Sequence, residues 1–437
     1  MVDNMTLRVT LNKNALRSVI RGAKLPRIYP HIYKNVIIDN NVTGLTTDWQ
    51  QAADPSIVYD PSKKMWNIYF FASVGGHAEV YLCRSTDLLS MNYIGKVLSV
   101  GASGEWDASY VHKQAVILED KFYMFYAGAS GSVRAIGLAT SEDGENFTKY
   151  ENNPILTDPE GTDYLDAPTV FKWRDGNYYM LAYNGNGKNL IFRASNFPTQ
   201  WEKIGELSSN IFAIYSTEAI YDEDLDLILV FANIYYPKPT PLDEPDRTGY
   251  IGLFICEEPT KCVYAGAFLP TLQTDVEVAP LKYLQRNVYA PAVVKVKDKY
   301  IMLFNANESG ITTERIFRAD LNDKPVTYNI KNHIEGITAE PYYIPLVRRP
   351  PGLGIKVKHI DVYAYAGTPN ELYLAEGPET YTGRESIIAW TNTSHLERFL
   401  DVTIREEYLL LVVRGGSSTN SISIAYSVEV EFFPELL

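Results

Sequence analysis

Apolar residues in this chain fall in short runs broken by Gly, Pro, Asn and Asp, and helical periodicity is sparse. Such runs predict strands. The clearest passage is residues 165–171, LDAPTVF, followed by 175–184, DGNYYMLAYN. It predicts a short buried strand beginning at Asp166, a tight turn at Asp175-Gly176, and a Tyr-rich second strand. Asp-Gly between apolar runs favours a hairpin because both turn positions tolerate φ > 0.

The same pattern recurs. Residues 64–73, 121–130, 177–184, 225–233 and 299–307 align as second strands. Each follows a shorter strand, beginning at Pro55, Gln114, Pro168, Glu218 and Pro291, and each precedes a third strand. A period of roughly 50 residues made of short strands predicts a β-propeller, in which sheets that cannot bury both faces alone pack radially. The expected fold is all-β: a five-bladed β-propeller over residues 51–345, then a C-terminal β-sandwich over 350–437. The Pro-rich stretch 235–246 should be a loop over one mouth of the ring.

Residues 1–50 form an N-terminal segment, with a strand expected at 6–12 and a short helix at 15–22. Residues 35–39 are expected to lock the ring. Residues 348–354, RRPPGLG, read as a stiff linker. Beyond it, Ile422, Ile424, Tyr426, Val428, Val430 and Phe432 alternate with polar or small residues, the mark of a half-buried antiparallel strand. The C-terminal module fits sugar binding, assembly contacts or a cover for the ring. Assembly is preferred to sugar binding because no Trp or Tyr cluster stands out there.

Net charge is −13, which argues against a nucleic-acid surface and is compatible with neutral or sugar ligands. Three cysteines give no disulfide framework, although Cys256 and Cys262 are spaced to pair across a hairpin. No 18-residue apolar run predicts a membrane span. No signal peptide is visible, so the expected location is cytoplasmic, or a virion or other surface reached by a non-classical route.

The first strand of each unit should line the central channel. Three of these strands carry acids near their starts: Asp54, Asp166 and Glu218. Acids crowded in one channel raise one another's pKa and can separate into a base and an acid. Glycoside cleavage needs that pair. Trp106, Asp107, Tyr110 and Asp163 stand just before strand starts and fit a sugar cleft, with Tyr289 at the fifth start. Trp106 reads equally as packing between units. His112 reads as a structural histidine, a substrate contact or a second-shell ligand to a central ion. Arg193 is placed to pair with Asp166 or to lie between units.

Residues 53–58 (ADPSIV), 136–144 with 153–156, and 166–171 resemble the five-bladed propeller glycosidases: the arabinanase, β-xylosidase, invertase and mannoside-phosphorylase group. The resemblance covers roughly residues 50–345. It implies an oligo- or polysaccharide substrate, Asp54 as base or nucleophile, Asp166 as pKa modulator or proton donor, and Glu218 as the nearest match to the general acid. It implies no required cofactor, with a structural Ca in the channel as an option. Glu218 is followed by Ala219-Ile220 where the group has Gly-Pro, and His112-Lys113-Gln114 replaces the invertase-type Arg-Asp-Pro. These departures favour the alternative, a non-catalytic glycan-binding or structural surface protein on the same scaffold.

Overall fold

The computed structural model describes residues 6–8, 28–236, 249–272, 281–285, 287–307, 313–322, 324–338, 342–377, 385–391, 395–405, 408–414 and 421–434. The chain is almost entirely β-strand. Each repeat predicted from the sequence is an up-and-down antiparallel unit. The first comprises Ala53–Asp60, Met65–Val74, His77–Ser85 and Asn92–Leu98. The second comprises Tyr110–Leu118, Phe122–Ser130, Val133–Ser141 and Thr148–Lys149. The third comprises Asp166–Lys172, Tyr178–Tyr183, Asn189–Asn196 and Gln200–Ser208, and the fourth Ala213–Asp222, Leu227–Tyr235, Gly249–Glu258 and Lys261–Leu269. The fifth is built from Asn287–Val296, Lys299–Asn307 and Arg315–Asn322. First strands pack on one another in a cycle, the fifth returning onto the first.

The ring is locked by Tyr29–Ile32, which adds to the fifth unit antiparallel to Arg315–Asn322. The expected lock at 35–39 contributes an isolated bridge, Ile38 to Ile316, and the Ile37 amide, which donates to the Ile316 carbonyl at 2.9 Å. The strand expected at 6–12 is seen at Thr6–Arg8, parallel to Gln200–Ser208. The expected helix at 15–22 and the loop over 237–246 lie outside the described residues.

Second strands are buried almost end to end, because each lies between two neighbouring units. Tyr69, Phe70, Phe71, Phe125, Tyr126 and Phe231 are all essentially inaccessible. A strand covered on both faces needs no polar alternation, which is why these runs read as continuous apolar stretches.

Each first strand carries a bulge at the same place. Two residues leave the ladder at Asp54-Pro55, Lys113-Gln114, Ala167-Pro168, Tyr215-Ser216 and Ala290-Pro291. In four units the first of the two is a non-glycine residue with positive φ: Asp54 at 47°, Lys113 at 48°, Ala167 at 47° and Ala290 at 49°. That conformation costs about 1–3 kcal/mol per residue and persists only where the surroundings enforce it. Bulges re-aim side chains. Here they set the start of every first strand.

The C-terminal residues form two four-stranded sheets. One orders Thr327–Ile337, Ile422–Pro434, Leu353–Ala366 and His395–Ile404; the other orders Tyr342–Arg348, Tyr408–Arg414, Glu371–Gly377 and Glu385–Thr391. Thr327–Ile337 and Tyr342–Arg348, expected in the ring, therefore belong to these sheets. The supposed linker is a turn between them. Gly352, at φ 82°, lies so close to Gly266 that an added Cβ would meet its Cα at 2.8 Å. Tyr264 donates a hydrogen bond to the Pro351 carbonyl at 2.9 Å. Pro350-Pro351-Gly352 thus packs against the fourth unit. The alternating strand behaves as its pattern requires, with Ile422 through Phe432 buried on one face. Contrary to the sequence reading, exposed rings do cluster on the C-terminal sheets: Tyr363, Tyr365 and Phe399.

Candidate functional site

The bulge register decides which starting residues are equivalent. Asp54 aligns with Lys113 and Ala167, whereas Asp166 aligns with His112 and Ala53. Asp54 and Asp166 are thus one position out of step. That offset brings Lys113 of the second unit onto Asp166 of the third, Nζ to Oδ2 2.9 Å.

Asp166 is fully buried and heavily compensated. Besides Lys113, the Arg134 guanidinium bonds directly to Oδ2. Tyr164 donates its hydroxyl to the same oxygen at 3.3 Å, and the Ala167 amide donates to Oδ1 at 2.9 Å. Burial alone would raise its pKa, but Lys113 and Arg134 hold it far below the usual carboxylate range. Lys113 also bonds the Tyr215 hydroxyl, tying the fourth unit to the cluster. Arg134 came from no sequence signal: it stands in a third strand, Val133–Ser141, outside the starts where acids were sought. Arg193 does not reach Asp166. It is exposed and faces Glu202 at 3.4 Å.

Asp54 is buried, with far less help. Its amide donates to Asn305 Oδ1 at 3.2 Å, and Asn305 Nδ2 donates back to Asp54 Oδ1 at 3.3 Å. Gln114 grips the Asp54 carbonyl at 2.8 Å, fixing the backbone of the bulge. Burial pushes the Asp54 carboxyl up to about 6; Lys113 opposes this and Asp166 adds to it.

Glu218 lies past the fourth bulge, paired in register with Phe231. It is half-buried as a residue. Thr169 donates its hydroxyl to Glu218 Oε2 at 3.2 Å. Burial raises the carboxyl to about 8, with Thr169 pulling the other way. Thr169 stands on the same strand as Asp166, three residues further along.

His112 is enclosed by Tyr110, stacked at 5.7 Å, and by Phe71, edge-on at 5.3 Å. Burial lowers its pKa to about 3, so the ring is neutral at ordinary pH. Its Nε2 is 3.7 Å from Asp166, too far for a hydrogen bond, and both ring nitrogens lack partners. Tyr110 is partly exposed beside Trp49. Tyr289 is buried, its hydroxyl accepting from Gln50 at 3.4 Å.

Three expected cleft residues do other work. Trp106 stacks on Tyr126 at 5.8 Å and fills the space above Gly128 and Gly137, where an added Cβ would sit 2.5 Å from one of these two rings. Its role is packing. Asp107 is buried, accepting from Tyr126 at 2.9 Å and pairing with Lys149 at 2.7 Å. Asp163 is exposed and joins the site only through its carbonyl, which holds the Arg134 amide at 2.9 Å.

Among the described residues no three His, Cys, Asp or Glu converge as metal ligands, and Lys113 and Arg134 occupy the carboxylate of Asp166. A cavity of about 770 Å³ lies elsewhere, between Tyr33, Val36, Leu89 and Tyr328.

Comparison with known proteins agrees with this architecture. Residues 104–226 match the glycosyl hydrolases family 32 N-terminal domain. The beta-1,2-mannobiose phosphorylase of Thermoanaerobacter sp. (strain X514) is 33% identical over 108 residues, 21% of this chain and 35% of that protein. The chain thus spans about a third of the length of the curated relative it matches. A solved glycoside hydrolase superposes with TM-score 0.51 at 13% identity, covering 72% of this chain and 97% of its own. A fructofuranosidase from Schwanniomyces occidentalis, complexed with fructosylnystose, gives TM-score 0.49 at 14% identity, covering 92% and 98%. At 13% identity the likeness to the solved glycoside hydrolase speaks for the fold alone. The resemblance to propeller glycoside hydrolases, first carried by the motifs at Asp54, Ile136 and Asp166, holds.

Proposed function

We propose that this chain cleaves glycosidic bonds in a five-bladed propeller, residues 28–322, to which a two-sheet sandwich, residues 327–434, is docked. Asp54 is the reacting carboxylate. The observation that carries the proposal is its state: a buried acid on a strained bulge, held through one oxygen by Asn305, with its pKa moved to about 6. Catalytic groups need pKa values near the working pH, and burial beside a fixed negative charge is how a carboxyl reaches that range. Asp166 supplies the charge. Lys113, Arg134 and Tyr164 keep it ionised and in place, so it positions and tunes but moves no proton.

In the hydrolytic reading Asp54, ionised above about pH 6, activates water or attacks the sugar carbon. Glu218, protonated up to about pH 8, donates to the leaving oxygen. One observation favours a second reading. Glu218 is met by the neutral Thr169 hydroxyl, whereas Lys113 and Arg134 act on Asp54 and, with His112 close by, hold the carboxylate of Asp166. A phosphorolytic enzyme needs one carboxyl only: protonated Asp54 serves the leaving oxygen and inorganic phosphate displaces it, giving a sugar phosphate. The partly matching relative carries the name phosphorylase.

The test is turnover of aryl glycosides and disaccharides of arabinose, xylose, mannose, galactose and fructose, with and without inorganic phosphate, Asp54→Asn as control. Turnover lost in Asp54→Asn supports the proposal, and a phosphate requirement selects the second reading. No turnover on any substrate would leave a non-catalytic glycan-binding protein. The comparisons lend no support to a virion or envelope role.

A further inference from the structure

The outer face of the sheet built from Thr327–Ile337, Ile422–Pro434, Leu353–Ala366 and His395–Ile404 has a composition unlike ordinary surface. Phe399 is 82% exposed, Tyr363 52% and Tyr365 45%. All three lie on neighbouring strands: His359 pairs in register with Phe399, Asp361 with Glu397, and Tyr363 with His395. The strand rise of ~3.4 Å per residue places Tyr363 and Tyr365 about 7 Å apart, and Tyr363 about 14 Å from the Phe399 row. The rings thus form a platform several ring-widths long.

Carboxylates stand between the rings. Asp361 meets His395 Nε2 at 2.9 Å, and Glu397 faces His359 at 3.5 Å. His359 in turn lies against Phe399 with centroids 4.5 Å apart. Tyr365 donates to Glu335 at 3.3 Å, which holds its ring at the edge of the platform. Small residues, Ala425 and Ser427, stand in register beside Tyr363 and Asp361 on the adjoining strand.

We infer that this face is a second carbohydrate-binding surface, for a neutral polysaccharide, separate from the channel. Rings that alternate with carboxylates suit a ligand with an apolar C–H face and a rim of hydroxyls: the rings stack and the acids accept. A protein partner fits poorly, because interface cores are depleted of charge. A second copy of the face would set Asp361 and Glu397 against their own kind. An anionic polymer would meet Asp361 and Glu397, with Lys331 in the same row, and the nearby Lys356 and Lys358 are already engaged by Asp401 at 2.9 and 2.6 Å. The choice of sugar as occupant rests on the carbohydrate reading of the ring.

The test uses the full chain in native gels cast with arabinan, xylan, mannan, levan or galactan, alongside turnover of small glycosides and light scattering. The proteins compared are wild type, Tyr363→Ala/Phe399→Ala, Phe399→Tyr and Asp54→Asn. Expected is retention by at least one polysaccharide, weakened tenfold or more in the double variant. Retention should persist in Phe399→Tyr and Asp54→Asn, with equal melting temperatures and unchanged turnover in the double variant. Retention without turnover keeps this inference and removes the catalytic one. Retention by no polysaccharide, retention indifferent to the two rings, or a dimer that dissociates when they are removed overturns it.

Discussion

Replacing Glu218 by Gln removes one titration and keeps the shape of the side chain. The folded carboxyl has its pKa raised from 4.5 to about 8, chiefly by burial. The unfolded chain ionises near 4.5 while the folded chain stays protonated. Its contribution to stability is therefore greatest below about pH 4.5 and is lost as pH rises to about 8. At ~1.4 kcal/mol per pH unit the loss is about 5 kcal/mol. Glu218 keeps a solvent-facing part, and hydration there reduces the figure to about 2–3 kcal/mol. Gln carries no such penalty. Urea unfolding at pH 5, 7 and 9 should find the variant near wild type at the lowest pH and about 2–3 kcal/mol more stable at the highest. Parallel pH dependence of the two proteins would refute the burial argument. The same variant separates the catalytic readings. If Glu218 is the proton donor, kcat/KM on alkyl glycosides falls about 10²–10⁴-fold, and nitrophenyl glycosides, whose leaving groups need little protonation, lose far less. Equal activity on both moves the proton to Asp54.

Three further outcomes follow from the packing. Arg134→Met leaves buried Asp166 with too little positive charge and should cost about 3–5 kcal/mol at pH 7. That cost shrinks as pH falls through the range where Asp166 would protonate, because a depressed carboxylate stabilises only above its unfolded pKa; chemical denaturation at pH 7 and 3 measures it. Gly128→Ala drives a methyl into Trp106 and should destabilise by about 1–3 kcal/mol, read from the same unfolding curves. The Cys256–Cys262 disulfide joins residues six apart. On the loop-entropy account its reduction should cost about 2 kcal/mol, measured by urea unfolding with and without reductant.

The repeat was legible because its physics is local. Each unit must show a short strand, a turn and a doubly covered strand, and residues 64–73, 121–130 and 299–307 could do little else. The acids at the strand starts were legible for the same reason. The bulge register was not, since the two unpaired residues after Ala53, His112 and Asp166 leave no mark on the apolar pattern. Without it Asp54 and Asp166 look equivalent, and the Lys113–Asp166 contact is invisible. Arg134 was missed because its partner is fixed by packing between units, a property of the closed ring. The C-terminal boundary was misplaced because Pro350-Pro351-Gly352 reads alike as linker or tight turn. Only Tyr264 and Gly266, far away in sequence, decide it. The exposed rings escaped notice because Tyr363, Tyr365 and Phe399 stand on two strands thirty or more residues apart, and only their pairing joins them.

The central claim is that Asp54 is the group whose protonation governs reaction. The most direct measurement is the pH dependence of kcat/KM for whichever glycoside is turned over. Hydrolysis through ionised Asp54 predicts a rise through about pH 6 and a fall through about pH 8; phosphorolysis through protonated Asp54 predicts a fall through about pH 6, with phosphate required. A profile with no limb near 6, or one unchanged in Asp54→Asn, contradicts the account.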